Sequence, residues 1–346
     1  MANLVISDIC NMACTFCFAR DYLGTSTFIS LQVFEQRLDF IDRSDIDEIR
    51  LIGGEPSLHP RFPELIALAR QRGKHIVVFS HGLLSERALS CLEALPVEQC
   101  TVLINMNATR TPGQKNTREE SQRLRTLHRL GQRALLGFNI FEANPEFDFM
   151  LPLILETNCH RAIRLGLAHP VLDGQNEYLH PKQYPIVGKE IAQFARTAAQ
   201  FHVKLELDCG FVRCMFSSED LEALVQAQAD VGWRCNPILD VDLTDQVFHC
   251  FPLSRKVQAS FSQDAEAAGL RKRLMEQTRQ YRVAGIYREC STCLLKQRNE
   301  CMGGCLATTM KRFRTADLHL RVPEHIVKDV PRARAESIPE TERSSM

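Results

Sequence analysis

The sequence lacks an excess of charge of either sign, a long apolar run and a targeting segment. Lys plus Arg and Asp plus Glu both number 42 in 346 residues, so the net charge is zero. This balance gives no general electrostatic case for binding nucleic acid or a membrane surface. No apolar run reaches the roughly 18 residues that a membrane span needs, and no signal-like segment precedes the first strand-like run. We therefore expect a soluble globular protein in a reducing cytoplasm.

Cysteine, by contrast, is abundant. The chain has 14 cysteines, most of them near its two ends. In a reducing compartment clustered cysteines are typically metal ligands and not disulfides. The isolated Cys91, Cys100 and Cys159 fall in regular segments, where cysteine usually behaves as a small apolar residue, so we expect them in the core.

Three cysteines form the first cluster, with the spacing C-x3-C-x2-C: Cys10, Cys14 and Cys17. They follow the apolar run 4–6, which is typical of a strand, and α/β folds place their chemistry at the carboxyl ends of strands. Three thiolates are one short of a closed zinc site, but they suit an iron-sulfur cluster that keeps one iron open to a chelating molecule. A zinc site completed from elsewhere and a chance grouping are the alternatives.

A second motif follows the strand-like run 46–52: Gly53, Gly54, Glu55 and Pro56. Two glycines let the backbone approach a bound molecule closely, and a carboxylate beside them can neutralise an ammonium group. The same residues would also serve as a plain turn from a strand to a helix.

Together these motifs, with the aromatic Phe16 before the last cysteine of the triad, resemble those of the radical S-adenosylmethionine (SAM) enzymes. The resemblance implies that the triad holds a [4Fe-4S] cluster whose open iron binds the amino and carboxylate groups of SAM. It also implies that the Gly-Gly-Glu-Pro motif grips the SAM amino group. In the family an electron from the cluster cleaves SAM to a 5'-deoxyadenosyl radical.

Strand-like and helical runs alternate through the first half of the chain, which predicts parallel pairing. The predicted strands are 4–6, 46–52, 74–79, 100–106, 134–140 and 162–167, and the predicted helices are 31–42, 62–72, 85–95, 117–130, 147–158 and 186–201. We expect an α/β protein with a partial (β/α)6 barrel of the radical SAM type at 1–201. A Rossmann or flavodoxin-like sheet is the alternative, but the glycine fingerprint for phosphate is missing after the first strand.

Polar residues at later strand ends are further candidates for contact with SAM: Ser80, Asn107, Asn139 and Arg164. Ser80 stands where relatives often have Thr-Asn-Gly, and the others interrupt apolar strands, as expected if they face a cavity. A simple turn, a capped strand end or exposure to solvent would explain them equally. His81 receives no catalytic role, and no catalytic residue can be named.

Eight cysteines return in the second half: Cys209, Cys214, Cys235, Cys250, Cys290, Cys293, Cys301 and Cys305. A predicted hairpin, 238–243 and 246–248, presents Cys235 and Cys250 at its ends. The set is similar to the SPASM extension of radical SAM enzymes, which carries two auxiliary [4Fe-4S] clusters. We therefore expect a smaller Cys-rich α+β domain at 202–315 and a charged, mobile tail at 316–346.

The spacing departs from the SPASM pattern, because seven residues separate Cys293 from Cys301 and no cysteine follows Cys305. By analogy, one cluster would use Cys235, Cys250 and Cys305 with either Cys209 or Cys214. The second would use Cys290, Cys293 and Cys301, and the unused member of the pair could supply its fourth bond. A single twitch-type cluster and a zinc site remain the alternatives.

The resemblance implies a radical SAM oxidoreductase that abstracts a hydrogen from a substrate carbon, with auxiliary clusters aiding oxidation. An electron donor such as flavodoxin or ferredoxin is the expected partner. The family base rate favours maturation of a ribosomally made peptide, although there is no room before residue 4 for a leader-binding domain. The alternatives are dehydrogenation, epimerisation or decarboxylation of a sugar-like or nucleoside-like small molecule, and a non-catalytic iron-sulfur electron carrier.

Overall fold

One sheet organises the part of the chain that the computed structural model describes, residues 1–24, 27–107 and 117–323. In that part the strand order is β11-β10-β9-β1-β2-β3-β4-β5-β6-β7-β8. The strands and helices of its first half are β1 (Ala2–Ser7), α1 (Leu31–Arg43), β2 (Glu48–Gly53), α2 (Phe62–Gln71), β3 (His75–Ser80), α3 (Glu86–Glu93), β4 (Cys100–Asn105), α4 (Thr117–Leu130), β5 (Ala134–Ile140), α5 (Met150–Thr157), β6 (Ala162–Leu167) and α6 (Tyr184–Gln200).

Parallel pairing runs through these strands, from β1 with β2 to β5 with β6, each pair in sequence order. A helix separates each strand from the next, so the α/β architecture with a parallel sheet is as predicted. Strands β4, β5 and β6 lie within one residue of their predicted limits. Helix α5 starts three residues later than predicted, because the carbonyls of Phe147 and Asp148 accept hydrogen bonds from Met150 and Leu151 in a turn.

Alternating side chains along the strands divide the interior into two faces. Leu4 and Ile6 of β1 belong to the large core under the helices, whereas Val5 joins a separate cluster with Ile52 and Phe248 on the other face. Serines at the helix starts satisfy free backbone groups: Ser30 accepts a hydrogen bond from the Val33 amide at 3.2 Å. The period of two therefore explains why Leu4 and Ile6 pack under the helices while Val5 lies on the opposite face of the sheet.

The second half of the chain continues the same sheet. Its elements are β7 (Lys204–Leu207), α7 (Ser218–Gln226), β8 (Asp230–Val231), β9 (Asp240–Val241), β10 (Gln246–Phe248), β11 (Gln258–Ser260), α8 (Ala267–Ala284), α9 (Leu294–Gln297) and α10 (Leu306–Arg312). Strand β7 pairs in parallel with β6, and β9 pairs in parallel with β1. The sheet therefore crosses the predicted domain limit at residue 201, and the division into domains stays a prediction.

The predicted hairpin is present as β9 and β10, with Thr244 and Asp245 in its turn. Asp245 adopts a left-handed conformation with φ 60°. The Asp242 carboxylate accepts hydrogen bonds from the amides of Thr244 and Gln246, both at 2.8 Å. These bonds hold the turn in place.

The predicted mobile tail begins too early. Residues 316–323 pack on the protein, with Leu318 and Val322 buried. The Val322 amide donates to the Glu289 carboxylate at 3.1 Å, and the Arg288 amide donates to the Leu320 carbonyl at 3.1 Å. The tail prediction is thus wrong for 316–323, and residues 324–346 lie outside the described part.

The isolated cysteines lie close to their predicted places. Cys100 is buried in β4, and Cys91 is half-buried in α3 against the core. Cys159 is buried but sits in the turn after α5, so its assignment to a regular segment was wrong. Asn158 takes a left-handed conformation before it and ends the helix. Among the described residues no helix is both long and apolar enough to cross a bilayer.

Candidate iron-sulfur and SAM site

The thiols of Cys10, Cys14 and Cys17 lie together in the loop after β1. Burial, together with the neighbouring thiols of Cys14 and Cys10, raises the pKa of Cys17 to about 11. Burial raises the pKa of Cys10 and of Cys14 as well. The Met12 amide already points at the Cys10 sulfur, at 3.4 Å. Clustered thiols with raised pKa values become thiolates when a cation binds, and their protons are released.

Backbone contacts clamp the Gly-Gly-Glu-Pro turn against this loop. The Gly54 amide donates to the Ser7 carbonyl at 2.9 Å, and the Glu55 amide donates to the Ile9 carbonyl at 2.6 Å. A side chain at either glycine would collide, since a Cβ on Gly53 would lie 2.1 Å from the Ser7 oxygen and one on Gly54 2.0 Å from the Ile9 oxygen. The glycines therefore bring the two sequence motifs into contact.

The Glu55 carboxylate is buried beneath this turn and is fully engaged. It accepts hydrogen bonds from the Ser57 hydroxyl at 2.6 Å, the Ser80 hydroxyl at 3.1 Å and the His81 amide at 3.0 Å. The His81 ring reaches Asn11 of the cysteine loop at 2.7 Å. In this arrangement Glu55 joins the ends of β2 and β3. Binding of the SAM amino group by the Gly-Gly-Glu-Pro motif stays a prediction.

The other residues predicted to contact SAM have protein partners. The Asn107 side-chain amide donates a hydrogen bond to the Asn139 carbonyl at 2.8 Å, and its oxygen accepts one from the Asn139 backbone amide at 2.6 Å. Phe16 stacks on Phe141 with ring centroids 5.0 Å apart, and Pro56 is buried. These contacts join neighbouring strand ends beside the cysteine loop, and a role in binding SAM remains a prediction for each residue.

Arg164 links the barrel interior to the second half of the chain. Its guanidinium donates to the Asp208 carboxylate at 2.7 Å and lies 5.3 Å from the centre of the Phe79 ring. Burial acts to raise the pKa of Asp208, but the charge of Arg164 outweighs it and holds that pKa below its ordinary value. Asp208 directly precedes Cys209, so this ion pair positions a candidate ligand.

Sequence reasoning missed Asn176, which supports the cysteine loop from the irregular segment after β6. Its amide nitrogen donates to the Phe16 carbonyl at 3.3 Å and to the His169 carbonyl at 2.9 Å, and its oxygen accepts from the Val171 amide at 2.9 Å. A single asparagine in an irregular stretch carries no sequence signal for this contact.

One group of four thiols lies near the start of the β9–β10 hairpin: Cys209, Cys235, Cys250 and Cys305. Burial raises the pKa of Cys250 well above its ordinary value, and the thiols of Cys235, Cys305 and Cys209 add to the effect. Cys209 is reachable by solvent, yet protein atoms surround it densely, as expected at the wall of a deep cavity. A cavity of about 520 Å³, which also borders Arg164 and Asp208, accounts for both observations.

A second group of four thiols lines a cavity of about 110 Å³: Cys214, Cys290, Cys293 and Cys301. Burial raises the pKa of Cys214 well above its ordinary value, and the other three thiols raise it further. The structure thus separates the pair that the sequence left open, with Cys209 in the first group and Cys214 in the second. Within the described residues no group of three or more His, Cys, Asp or Glu side chains is placed to hold a single metal ion.

Two glycines with positive φ make room beside these thiols. A Cβ on Gly285 (φ 77°) would lie 2.7 Å from the Cys290 sulfur, and one on Gly210 (φ 94°) would lie 2.1 Å from the His169 ring. Two buried histidines next to the first group, His169 and His249, each have a ring Nδ1 without a hydrogen-bond partner among the described residues. All-thiol donor sets in tight backbone cradles fit iron-sulfur clusters.

Comparison with known proteins agrees with these features. Residues 4–141 match the family model of the radical SAM superfamily. Over this part, fewer than half of its residues, the chain is similar to the radical SAM superfamily.

Solved structures extend the likeness to the second half. SuiB of Streptococcus suis bound to S-adenosylmethionine superposes with a TM-score of 0.65 at 12% identity, over 94% of this chain and 76% of that one. The structure of anSMEcpe with bound AdoMet superposes with a TM-score of 0.64 at 16% identity, over 94% of both chains. Other structures of these two hold the precursor peptide SuiA and the Cp18Cys peptide. At such identities the likeness establishes the fold.

Curated relatives match a shorter stretch. The GTP 3',8-cyclase of Shewanella denitrificans is 40% identical over 69 residues, which is 19% of this chain and 20% of that protein. The GTP 3',8-cyclase of Yersinia pestis is 37% identical over 71 residues, 20% of this chain and 22% of that protein. The chain thus matches about a fifth of the length of these relatives.

Proposed function

We propose that this protein is a radical SAM enzyme that cleaves SAM reductively and abstracts a hydrogen from a substrate carbon. The observation that carries the proposal is the contact between the triad loop and the Gly53–Gly54 turn, through the Gly54 and Glu55 amides. This contact joins the loop of the three cysteines to the end of β2, at the carboxyl edge of the parallel sheet. The match of residues 4–141 to the family model of the radical SAM superfamily supports it.

The chain's own residues hold and shield the reacting groups in this proposal. Cys10, Cys14 and Cys17 supply three thiolates to a [4Fe-4S] cluster and leave the fourth position for the amino and carboxylate groups of SAM. When bound, the cluster supplies the electron that breaks the sulfonium bond. Glu55 keeps the turn and the end of β3 in place through Ser57, Ser80 and His81.

We further propose that the two four-thiol groups hold two auxiliary [4Fe-4S] clusters. The first takes Cys209, Cys235, Cys250 and Cys305, and the second takes Cys214, Cys290, Cys293 and Cys301. Mutual proximity within each group supports this assignment, because each thiol set supplies the four ligands that a cubane needs. Burial of four thiolates together is costly unless a cation compensates their charge.

Auxiliary clusters suit an oxidative outcome. A substrate that has lost a hydrogen atom must lose one further electron and a proton to become a neutral closed-shell product, and the thiolates of the first group would hold a cluster able to accept that electron. The cavity of about 520 Å³ borders Cys209, Arg164 and Asp208 beside the first group, and Glu48 and His75 at the amino ends of β2 and β3 also line it. We therefore propose an oxidoreductase with an external electron donor such as flavodoxin or ferredoxin, acting in the cytoplasm.

The proposed substrate is a ribosomally made peptide. Support comes from the two solved structures that match nearly the whole chain, since SuiB was also solved with the precursor peptide SuiA and anSMEcpe with the Cp18Cys peptide. A nucleotide-like small molecule is the second candidate, favoured by the GTP 3',8-cyclases, although these match only about a fifth of the chain.

The test of the core proposal is production of 5'-deoxyadenosine by the anaerobically reconstituted protein with dithionite. We expect cleavage by the wild type and none by the variant Cys10→Ala/Cys14→Ala/Cys17→Ala. No cleavage by a wild type that carries iron would favour a non-catalytic iron-sulfur carrier. The substrate class is tested by deuterium transfer into 5'-deoxyadenosine, and transfer from labelled nucleotides but never from a peptide would overturn the peptide assignment.

A further inference from the structure

One face of α8 forms an open groove of about 810 Å³ on the surface beside the second thiol group. Lys272, Met275, Arg279 and Val283 recur at intervals of three and four residues, so they lie on the same face of the helix. All four side chains are exposed. We name this surface, together with Arg282 and Lys296 at its edge, the basic groove.

The basic groove carries a strong local excess of positive charge in a chain whose net charge is zero. Arg271, Lys272, Arg279, Arg282 and Lys296 line it, and the only carboxylate among the described lining residues is Glu276. Lys272 and Arg279 form no ion pair with any other described residue. Met275 and Val283 are 42% and 63% exposed, so apolar surface lies between the charges.

The groove shares a wall with the cavity of the second thiol group. Cys290 and Lys296 line both spaces. A group held by Cys214, Cys290, Cys293 and Cys301 would therefore be separated from a protein docked in the groove by a single layer of side chains. The charge of Lys296 also faces Cys290, Cys301 and Cys293.

We propose that the basic groove is the docking site of a small acidic one-electron carrier protein, which exchanges electrons with the second thiol group when that group holds its cluster. The inference rests on the proposed function of that group. Each docking event passes one electron, so the carrier is reduced by one electron for each that this protein loses, and no bond is made or broken.

The charge pattern favours an acidic carrier over other occupants. Positive side chains around a small apolar centre attract an acidic partner over distance, and the modest apolar area permits rapid release. Interfaces of redox partners are typically small and transient. The positive charge would also attract nucleic acid, but nucleic acid carries no electron to the thiol group, so the wall shared with the thiol cavity favours a redox partner.

Charge reversal provides the test. The variant Lys272→Glu/Arg279→Glu alters two exposed side chains that touch none of the thiols, and Arg125→Glu/Lys189→Glu makes the same change in charge on exposed residues of α4 and α6. The probe is a purified acidic flavodoxin, and the measurement is its dissociation constant at low and at high salt with the reconstituted protein. We expect the groove variant to bind at least tenfold more weakly, with a shallower dependence on salt, and the matched control to bind within about twofold of the wild type.

Dithionite-driven formation of 5'-deoxyadenosine separates the two proposals, because it needs no protein carrier. Normal cleavage by the groove variant together with weakened flavodoxin binding supports the inference. Equal binding by wild type and groove variant, or equal losses in both charge-reversal variants, would overturn it. Binding of a short RNA but not of flavodoxin by the wild type would overturn it too. Absent cleavage by the wild type would instead count against the proposed function.

Discussion

Cys209 and Cys214 both lie in the loop after β7, yet their thiols belong to different groups. Cys209 faces Cys235 and Cys305, whereas Cys214 faces Cys290 and Cys301. The short helical turn Arg213–Met215 and the left-handed Gly210 carry the chain from one group to the other. A single loop thus supplies one ligand to each proposed auxiliary cluster.

The first prediction follows from this division. We expect Cys209→Ala and Cys214→Ala each to lose about four of roughly twelve irons per chain, because each removes a ligand of a different cubane. Iron and sulfide analysis with electron paramagnetic resonance after reduction should show two different missing signals. Cys91→Ala, which alters a half-buried cysteine far from both groups in sequence, serves as the control. Loss of the same signal in both variants would contradict the two ligand sets.

The second prediction concerns Gly54, where the turn after β2 contacts the cysteine loop. In Gly54→Ala the new Cβ would lie 2.0 Å from the Ile9 carbonyl oxygen, so the turn must move away from the cysteine loop. We expect SAM to bind at least tenfold more weakly, measured by equilibrium dialysis with the reconstituted protein. Gly269→Ala is the matched control, because a Cβ there meets no atom within 4 Å in α8. It should leave SAM binding unchanged and raise the free energy of unfolding by about 0.5–1 kcal/mol. Unchanged affinity in Gly54→Ala would show that the turn is not part of the SAM site.

Local patterns in the sequence predicted the architecture well, since the alternation of apolar runs indicated β4, β5 and β6 closely. Cys10, Cys14 and Cys17 lie in one loop, as their spacing predicts, and their role as cluster ligands stays a prediction. The partition of Cys209 and Cys214 could not be predicted, because it depends on backbone angles around Gly210 that sequence spacing does not encode. The contact of Asn176 with the cysteine loop was hidden for a similar reason, since its partner there, the Phe16 carbonyl, is 160 residues away in the sequence.

The sheet's continuation past residue 201 was also missed. Strand β7 has only four residues, and β8 has two. Such short strands carry too few alternating positions for a period of two to stand out. The place of β7 in the sheet comes from pairing with β6, and the predicted hairpin joins the sheet because β9 pairs with β1, which is a long-range effect.

The buried Asp240 predicts a dependence of stability on pH. Burial raises its pKa to about 7 in the folded protein, although a hydrogen bond from Asn3 opposes the shift. In the unfolded chain the pKa of an aspartate carboxyl is about 3.9. The folded state therefore holds a proton that the unfolded state has lost between about pH 4 and 7, so stability falls as the pH rises through this window.

We expect Asp240→Asn to reduce this dependence, because the neutral amide has no proton to lose. Urea unfolding between pH 5.5 and 7.5 should show a decline in the wild type of at most about 1.4 kcal/mol per pH unit and a flatter curve in the variant. The Asn3 side-chain oxygen has no hydrogen-bond partner among the described residues, so the new amide has an acceptor nearby. Parallel curves for the two proteins would show that Asp240 titrates normally.

The last prediction concerns Asn176, which ties the segment after β6 to the cysteine loop. In Asn176→Ala the Phe16 and His169 carbonyls lose their donor and the Val171 amide loses its acceptor. Each such bond contributes about 0.5–1.5 kcal/mol, so the loop that carries Cys14 and Cys17 should become less well ordered. We expect formation of 5'-deoxyadenosine with dithionite to fall about tenfold, while the spectra of the two auxiliary groups stay unchanged because their thiols lie on other elements. Iron content measured on the same sample is the internal control. Full cleavage activity in the variant would show that Asn176 only shapes its own segment and does not support the site.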